Sequence, residues 1–363
     1  MPPLLSICIP AYNGARYLRV MLEALLPQVR LAGGAAEVVV IDDASTDDTG
    51  EVVQAAERHG PVRYVRNATN GGSARNIVKG PVELATGEFV CVWSQHCLIY
   101  PGALPKLLQV LEEKRHLDAL YINFRCAKYP QDWPNQAEGG YGGAYDYIAN
   151  LDLQSHDVVR WETLLDTRSA FCTQSYAHIA KRAVWVSYWR YRPIDADFTS
   201  VYTTYPHTCT VAENLFGRPT YYVGEPVLTI FNGAQWWSSL KSRTRVYLRG
   251  YPELLQLYQR LGWSGQPLRE AQALGSGMAE SIMKDLFQEW RTEEGRLLLR
   301  YLWKYWYHQG TLRSLWHAFI ESECCWLSRF LPRCQRALEK AYRYCFHQCR
   351  PARWVGKYLK HTA

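Results

Sequence analysis

The sequence predicts an α/β fold, a mostly parallel sheet flanked by helices, with a C-terminal helical extension. Three observations predict it. Short apolar runs of strand length alternate with stretches of helical spacing over the first 125 residues. The runs are nearly continuous in apolar residues, as strands covered on both faces are. From residue 240 onward the pattern turns helical and stays so.

Residues 4–9 (LLSICI) form an apolar run ending at Pro10 and read as a buried parallel strand. Leu18, Met21, Leu22, Leu25 and Leu26 recur at helical spacing over 16–31. Residues 37–41 (EVVVI) make a second strand, and Ser45-Thr46-Asp47-Asp48 supplies capping residue types for a helix through His59. A third strand is read at 62–66, a helix at 72–85, and a fourth strand at 88–93 (EFVCVW), which runs into Ser94-Gln95-His96-Cys97. Residues 98–104 open a helix that runs to 114, and 119–124 is another strand. Residues 129–147 are rich in Pro, Gly and Tyr and read as a binding loop. In such a sheet ligands sit at the carboxyl ends of the strands. Pro267, Pro332 and Gly275-Ser276-Gly277 punctuate the helical C-terminal part.

At 363 residues the chain suits two units, or a core with an appendage. The charge is uneven. Residues 240–363 hold 21 Lys and Arg against 10 Asp and Glu, whereas 1–239 hold 20 against 24. The basic excess therefore belongs to the C-terminal third and points to an anionic surface there. The 11 cysteines are scattered, several within apolar runs (Cys8, Cys91, Cys172), and no signal-peptide pattern opens the chain. This implies a reducing, cytoplasmic compartment with free buried thiols. No run of about 18 uncharged apolar residues is present.

Four motifs occur in order: Pro10-Ala11-Tyr12-Asn13 after the first strand, Asp42-Asp43-Ala44-Ser45 after the second, Asn70-Gly71-Gly72-Ser73-Ala74-Arg75-Asn76 before the helix leading to the fourth, and Gly87-Glu88-Phe89-Val90 opening that strand, with Pro101 and Leu104 beyond. Over roughly residues 4–235 this resembles the family 2 glycosyltransferases of the GT-A (Rossmann-like) fold. The resemblance implies a nucleotide-sugar-binding half at 1–125, an acceptor-binding half at 126–239, and a basic, aromatic-rich helical region at 240–363. It places Pro10, Ala11, Tyr12 and Asn13 around base and ribose, and Asp42 or Asp43 on the N3–H of uracil or thymine. Asn70 and Arg75 would lie beside the nucleotide, where the fixed fork of a guanidinium suits a diphosphate.

The family's metal-binding Asp-x-Asp falls on Ser94-Gln95-His96. None is acidic. Ser94 can bond a ribose hydroxyl, and a lone imidazole is a poor site for a hard, oxygen-loving cation. The resemblance, with this departure, implies an enzyme that requires no cofactor; Mn²⁺ or Mg²⁺ held through His96 is the alternative. No metal ligand is assigned. The family's acidic pair, about 15 residues before a Tyr-x-x-Glu-Pro-Val strand, falls on Pro206-His207, since Tyr222-Val223-Gly224-Glu225-Pro226-Val227 matches that strand. Tyr205-Pro206-His207 and 173–185 (TQSYAHIAKRAVW) resemble the abequosyltransferase-like branch. An inverting transfer needs a base near the acceptor hydroxyl, and histidine serves near neutral pH. His207 is the first candidate and Asp197, with neighbouring Asp195, the second; Glu213 lies nearly two helical turns further on. Without a metal, the leaving diphosphate needs another cation. Lys241, Arg243 and Arg245 are candidates, beyond a loop at 232–237 able to close over the site.

Residues 301–363 combine 11 Lys and Arg with 14 aromatic residues and 3 acids, a composition suited to anionic lipid headgroups. The segments 316–330 and 337–346 carry that mixture. Cys324, Cys325, Cys334, Cys345, Cys349 and His347 do not follow zinc-site spacing and read as packed helix. No nucleic-acid motif is present. The implied function is an inverting glycosyltransferase that uses a UDP- or dTDP-sugar and a lipid-linked saccharide or glycan acceptor in O-antigen or capsule synthesis. It would work at the inner face of the cytoplasmic membrane, peripherally bound through its C-terminal region. The alternative is a catalytically inactive GT-A module that binds a glycan or partner.

Overall fold

The computed structural model describes residues 2–128, 158–165, 177–232, 239–272 and 296–297. The expected loop at 129–147, the closing loop apart from Asn232, the break at Gly275-Ser276-Gly277, and the basic, aromatic and cysteine-bearing segments after residue 300 lie outside them.

The strands are β1 (Leu5–Ala11), β2 (Ala36–Asp42), β3 (Arg63–Arg66), β4 (Phe89–Val92), β5 (Cys97–Ile99), β6 (Ala119–Lys128), β7 (Val158–Arg160), β8 (His178–Lys181) and β9 (Pro219–Asn232). They form one nine-stranded sheet in the order β3-β2-β1-β4-β8-β6-β9-β5, with β7 on β9. The β3-β2-β1-β4 block is parallel, as is β6 with β9. β8 enters antiparallel between β4 and β6, and β5 and β7 pair antiparallel with β9. Mixed α/β architecture is thus observed.

The elements follow from the sequence pattern with two departures. Leu98-Ile99, expected at the opening of a helix, form β5 together with Cys97, because the backbone of these buried residues pairs with Leu228, Thr229 and Ile230. The helix expected over 72–85 is α3 (Ser73–Lys79) followed by a π-helical turn at 80–84 that holds Pro81. There, the turn lies on the sheet so closely that a Cβ on Gly80 would sit 2.8 Å from Cys8 Cβ and 3.2 Å from Ile41 Cδ1.

The helices α1 (Ala15–Leu31), α2 (Thr49–Ala56) and α4 (Ala103–Glu113) each bury an apolar stripe. Leu18, Leu22, Leu25 and Leu26 of α1 are fully buried. Next in the chain come α5 (Arg182–Trp189), α6 (Val201–Thr204) and α7 (Pro206–Leu215), then α8 (Leu240–Arg245) and α9 (Tyr251–Leu261). Cys8, Cys91 and Cys209 are free, buried thiols, and Cys97 is buried as well. No helix among the described residues is long and apolar enough to cross a membrane.

Parallel register determines what meets at the sheet's carboxyl edge: Ala11 stands level with Asp42, and Asp42 with Arg66. Gly80→Ala is expected to lower stability by about 1–3 kcal/mol through overpacking against β1, read as a fall in the urea midpoint at unchanged slope.

Candidate active site

The loops after β1 and β2 are zipped together by side chains. Asn13 Oδ1 accepts from Thr46 N (2.8 Å), and Asn13 N donates to Ser45 Oγ (2.9 Å). Asp47 accepts from Ala15 N at the start of α1 and from Thr49 N at the start of α2. Asn13 and Ala44 hold positive φ, 47° and 59°. For alanine that is a strained geometry, kept only because the surrounding bonds over-determine it.

Asp42 and Asp43 are adjacent, buried, and differently employed. Asp42 Oδ1 accepts from Ser45 N (2.8 Å) and Ser45 Oγ (2.5 Å), and its Oδ2 accepts from Tyr64 Oη (2.5 Å) and Arg66 Nη1 (2.6 Å). Burial pushes its pKa up, but the Ser45 and Tyr64 hydrogen bonds and the Arg66 charge outweigh that and hold it below the usual value. A carboxylate offers about four acceptor positions. All four of Asp42 are spent inside the protein, which leaves none for a nucleobase. Asp43 spends three, on Asn67 Nδ2 (2.8 Å), Gly71 N (2.9 Å) and Gly72 N (3.0 Å).

Asn70 Oδ1 turns back onto Gly72 N (3.1 Å). Arg75 donates from Nε (3.2 Å) and Nη2 (3.0 Å) to the Ile194 carbonyl. Asn76, buried at the sheet edge, donates to Ile41 O (2.8 Å).

At the end of β4, Ser94 Oγ and His96 Nδ1 share a 2.8 Å hydrogen bond. Both are buried, Tyr17 packs edge-on against His96 with ring centroids 6.0 Å apart, and burial alone lowers the His96 pKa to about 4. Gln95 grips the β1 loop: its Oε1 accepts from Tyr12 N (3.2 Å) and its Nε2 donates to Tyr12 O (3.4 Å). The grip needs Gly14, because a Cβ there would lie 2.1 Å from Gln95 Oε1. Pro10 and Ala11 end β1 beneath it, with Ala11 O accepting from Asp43 N (2.9 Å). One hydroxyl and one buried imidazole do not fit Mn²⁺ or Mg²⁺, which take carboxylate and other oxygen ligands. Among the described residues no group of three or more His, Cys, Asp or Glu is placed to hold a metal ion.

Pro206 and His207 open α7, which packs against α3. His207 is buried, and desolvation, with the charge of His178, lowers its pKa to about 3. Asp197 is not an open carboxylate: it accepts from Ser73 N (2.7 Å), Ser73 Oγ (3.1 Å) and Ala74 N (2.9 Å). Glu213 is held by Tyr188 Oη (2.7 Å), Tyr202 Oη (3.1 Å) and Arg192 Nη2 (3.2 Å). Lys241, Arg243 and Arg245 lie on α8, with Lys241 exposed and the two arginines half-buried.

The sequence reading passes over Tyr64, Arg66, Asn67 and Tyr17. Arg66 ends the expected third strand, so its level with Asp42 was available from parallel register; the aim of its side chain was not.

Residues 6–171 match the family model described as Glycosyl transferase family 2. It is 30% identical over 204 residues to the abequosyltransferase RfbV of Salmonella typhimurium, covering 48% of this chain and 59% of that protein. It is 29% identical over 115 residues to the glycosyltransferase GlyG of Streptococcus pneumoniae, with 31% and 37% covered. The chain thus spans less than two thirds of the length of these relatives. Among solved structures, S. aureus TarS 1–349 in complex with UDP-GlcNAc aligns with a TM-score of 0.47 at 14% identity, over 82% of this chain and 88% of that one.

The two depressed histidines make stability depend on pH. Their folded-state values, about 4 and about 3, lie below the ordinary 6.5 of the unfolded chain. Below 6.5 the unfolded state therefore binds more protons, and stability present above that value is lost as pH falls towards 4 and 3. Each histidine is expected to cost about 2 kcal/mol between pH 6.5 and about pH 5. Urea melts of His96→Gln and His207→Gln should each show a shallower acid loss than wild type.

Proposed function

We propose that this chain is an inverting glycosyltransferase that moves a sugar from a UDP- or dTDP-sugar to a lipid-linked or polysaccharide acceptor in bacterial surface-glycan synthesis, without a divalent metal. One observation carries the reading: the Tyr12 ledge, the Asp43 carboxylate, the glycine loop with Arg75, and Ser94-Gln95-His96 converge on the carboxyl ends of β1, β2 and β4. The family 2 domain and relatives named as an abequosyltransferase and a chondroitin synthase support it.

In this reading Asp43, which retains one acceptor position, takes the N3–H of the base; Asp42 fixes the loop around it. Tyr12 offers its exposed face to base or ribose, and Ser94 a hydroxyl to the ribose. Arg75 uses two of its five N–H groups on Ile194 O, leaving three for the diphosphate. Lys241, Arg243 and Arg245 supply further positive charge. His207, neutral throughout the working range, takes the acceptor hydroxyl proton as the sugar is transferred. The C-terminal region rests on anionic lipid at the cytoplasmic membrane.

Calorimetric titration with UDP and dTDP tests the donor site. Affinity and turnover are expected to persist in EDTA; activity abolished by chelation and restored by Mn²⁺ would overturn metal independence. Binding without turnover on any glycan acceptor would favour the inactive-module alternative.

For the base, His207→Ala is expected to lower kcat by about 10²–10⁴-fold while nucleotide affinity holds. Because the His207 pKa is near 3, its titration should leave the wild-type rate flat between pH 7 and about pH 5. An acid limb centred near 6.5 that persists in His207→Ala would assign the base elsewhere.

A further inference from the structure

Four consecutive backbone N–H groups, those of Gly71, Gly72, Ser73 and Ala74, end on two carboxylates. Asp43, from β2, takes the first two at 2.9 and 3.0 Å. Asp197, from the acceptor half, takes the second two at 2.7 and 2.9 Å, with Ser73 Oγ added at 3.1 Å. The loop answers in kind, since Arg75 donates twice to the carbonyl of Ile194, three residues before Asp197.

Two local features accompany this meeting of groups. Gly72 has φ 89°, and a Cβ on it would stand 3.1 Å from both Asp197 oxygens. Phe198 has φ 60° with its side chain buried, an outlier for a bulky residue. Such strain persists where surrounding contacts over-determine it, and it clusters at functional sites. Here it turns the chain so that the Asp197 carboxylate faces the amides while Phe198 enters the core. Since α3 also packs on α7, the clasp fixes the donor loop against the helix that begins with His207.

We infer that Asp197 is a positioning residue: its carboxylate clasps the 71–75 loop from the acceptor half and so sets the Arg75 fork and the loop amides for the donor nucleotide. The role rests on the nucleotide-sugar reading above. It separates Asp197 from the base, because its Oδ2 accepts from Ser73 N and Oγ and its Oδ1 from Ala74 N, which turns the carboxylate toward that loop.

The test uses Asp197→Ala, Asp197→Asn and Gly72→Ala in the full chain, the last breaking the clasp from the opposite side without touching Asp197. UDP and dTDP affinities are measured by calorimetry, donor KM and kcat by initial rates, and the protection of the Ser73 and Ala74 amides by hydrogen exchange. Asp197→Ala and Gly72→Ala are expected to deprotect those amides and weaken nucleotide binding about tenfold, with donor KM rising in step and kcat holding within about threefold. Asp197→Asn, which keeps one acceptor oxygen, should fall between these and wild type. Unchanged nucleotide affinity with kcat lowered about 10²–10⁴-fold would make Asp197 the base and overturn the role. Deprotected amides with unaltered affinity and KM would overturn it as well. A wild-type chain that binds neither nucleotide overturns the glycosyltransferase reading and this role together; wild-type binding that all three variants share overturns this role alone.

Discussion

The pair of carboxylates at the end of β2 is the constraint on which the rest of the site depends. Asp42 and Asp43 are adjacent in sequence, so at a strand end they face different loops. Asp42 draws in Ser45, Tyr64 and Arg66 and so fixes the turn after β2 and the end of β3. Asp43 draws in Asn67, Gly71 and Gly72 and so shapes the loop before α3. An unpaired carboxylate is costly to bury, and each here is stabilised by charge-assisted or backbone hydrogen bonds that leave the loops little freedom.

Ser94-Gln95-His96 brings no carboxylate to the end of β4. Two carboxylates there would need a cation to relieve their repulsion. The residues present satisfy one another instead: Ser94 bonds His96, Tyr17 closes over the imidazole, and Gln95 reaches across to the backbone of Tyr12. Burial then keeps His96 neutral. The edge of the site is thereby tied by neutral hydrogen bonds.

Around α5, α6 and α7 the polar groups are also committed. Glu213 is enclosed by two tyrosines and Arg192, whose guanidinium lies 4.2 Å from the Tyr188 ring centroid and 5.0 Å from that of Tyr202. This ties α5, α6 and α7 into one unit. Asp197 in turn ties that unit to the loop before α3 and its first turn.

The sequence by itself determined the α/β class, the strands and helices of residues 4–124 to within a few residues, and the loops on which the candidate residues stand. It could do so because apolar periodicity is local, and because parallel strands gather their carboxyl ends at one edge. It could not determine β5, three residues whose strand character comes from Leu228, Thr229 and Ile230 far along the chain, nor that β8 runs antiparallel between β4 and β6. Nor could it distinguish Asp42 from Asp43, or show that Asp197 is occupied and His207 buried. Those outcomes depend on which donors and apolar surfaces arrive from elsewhere, and a side chain's hydrogen-bond partners and desolvation exist only once the chain has closed around it.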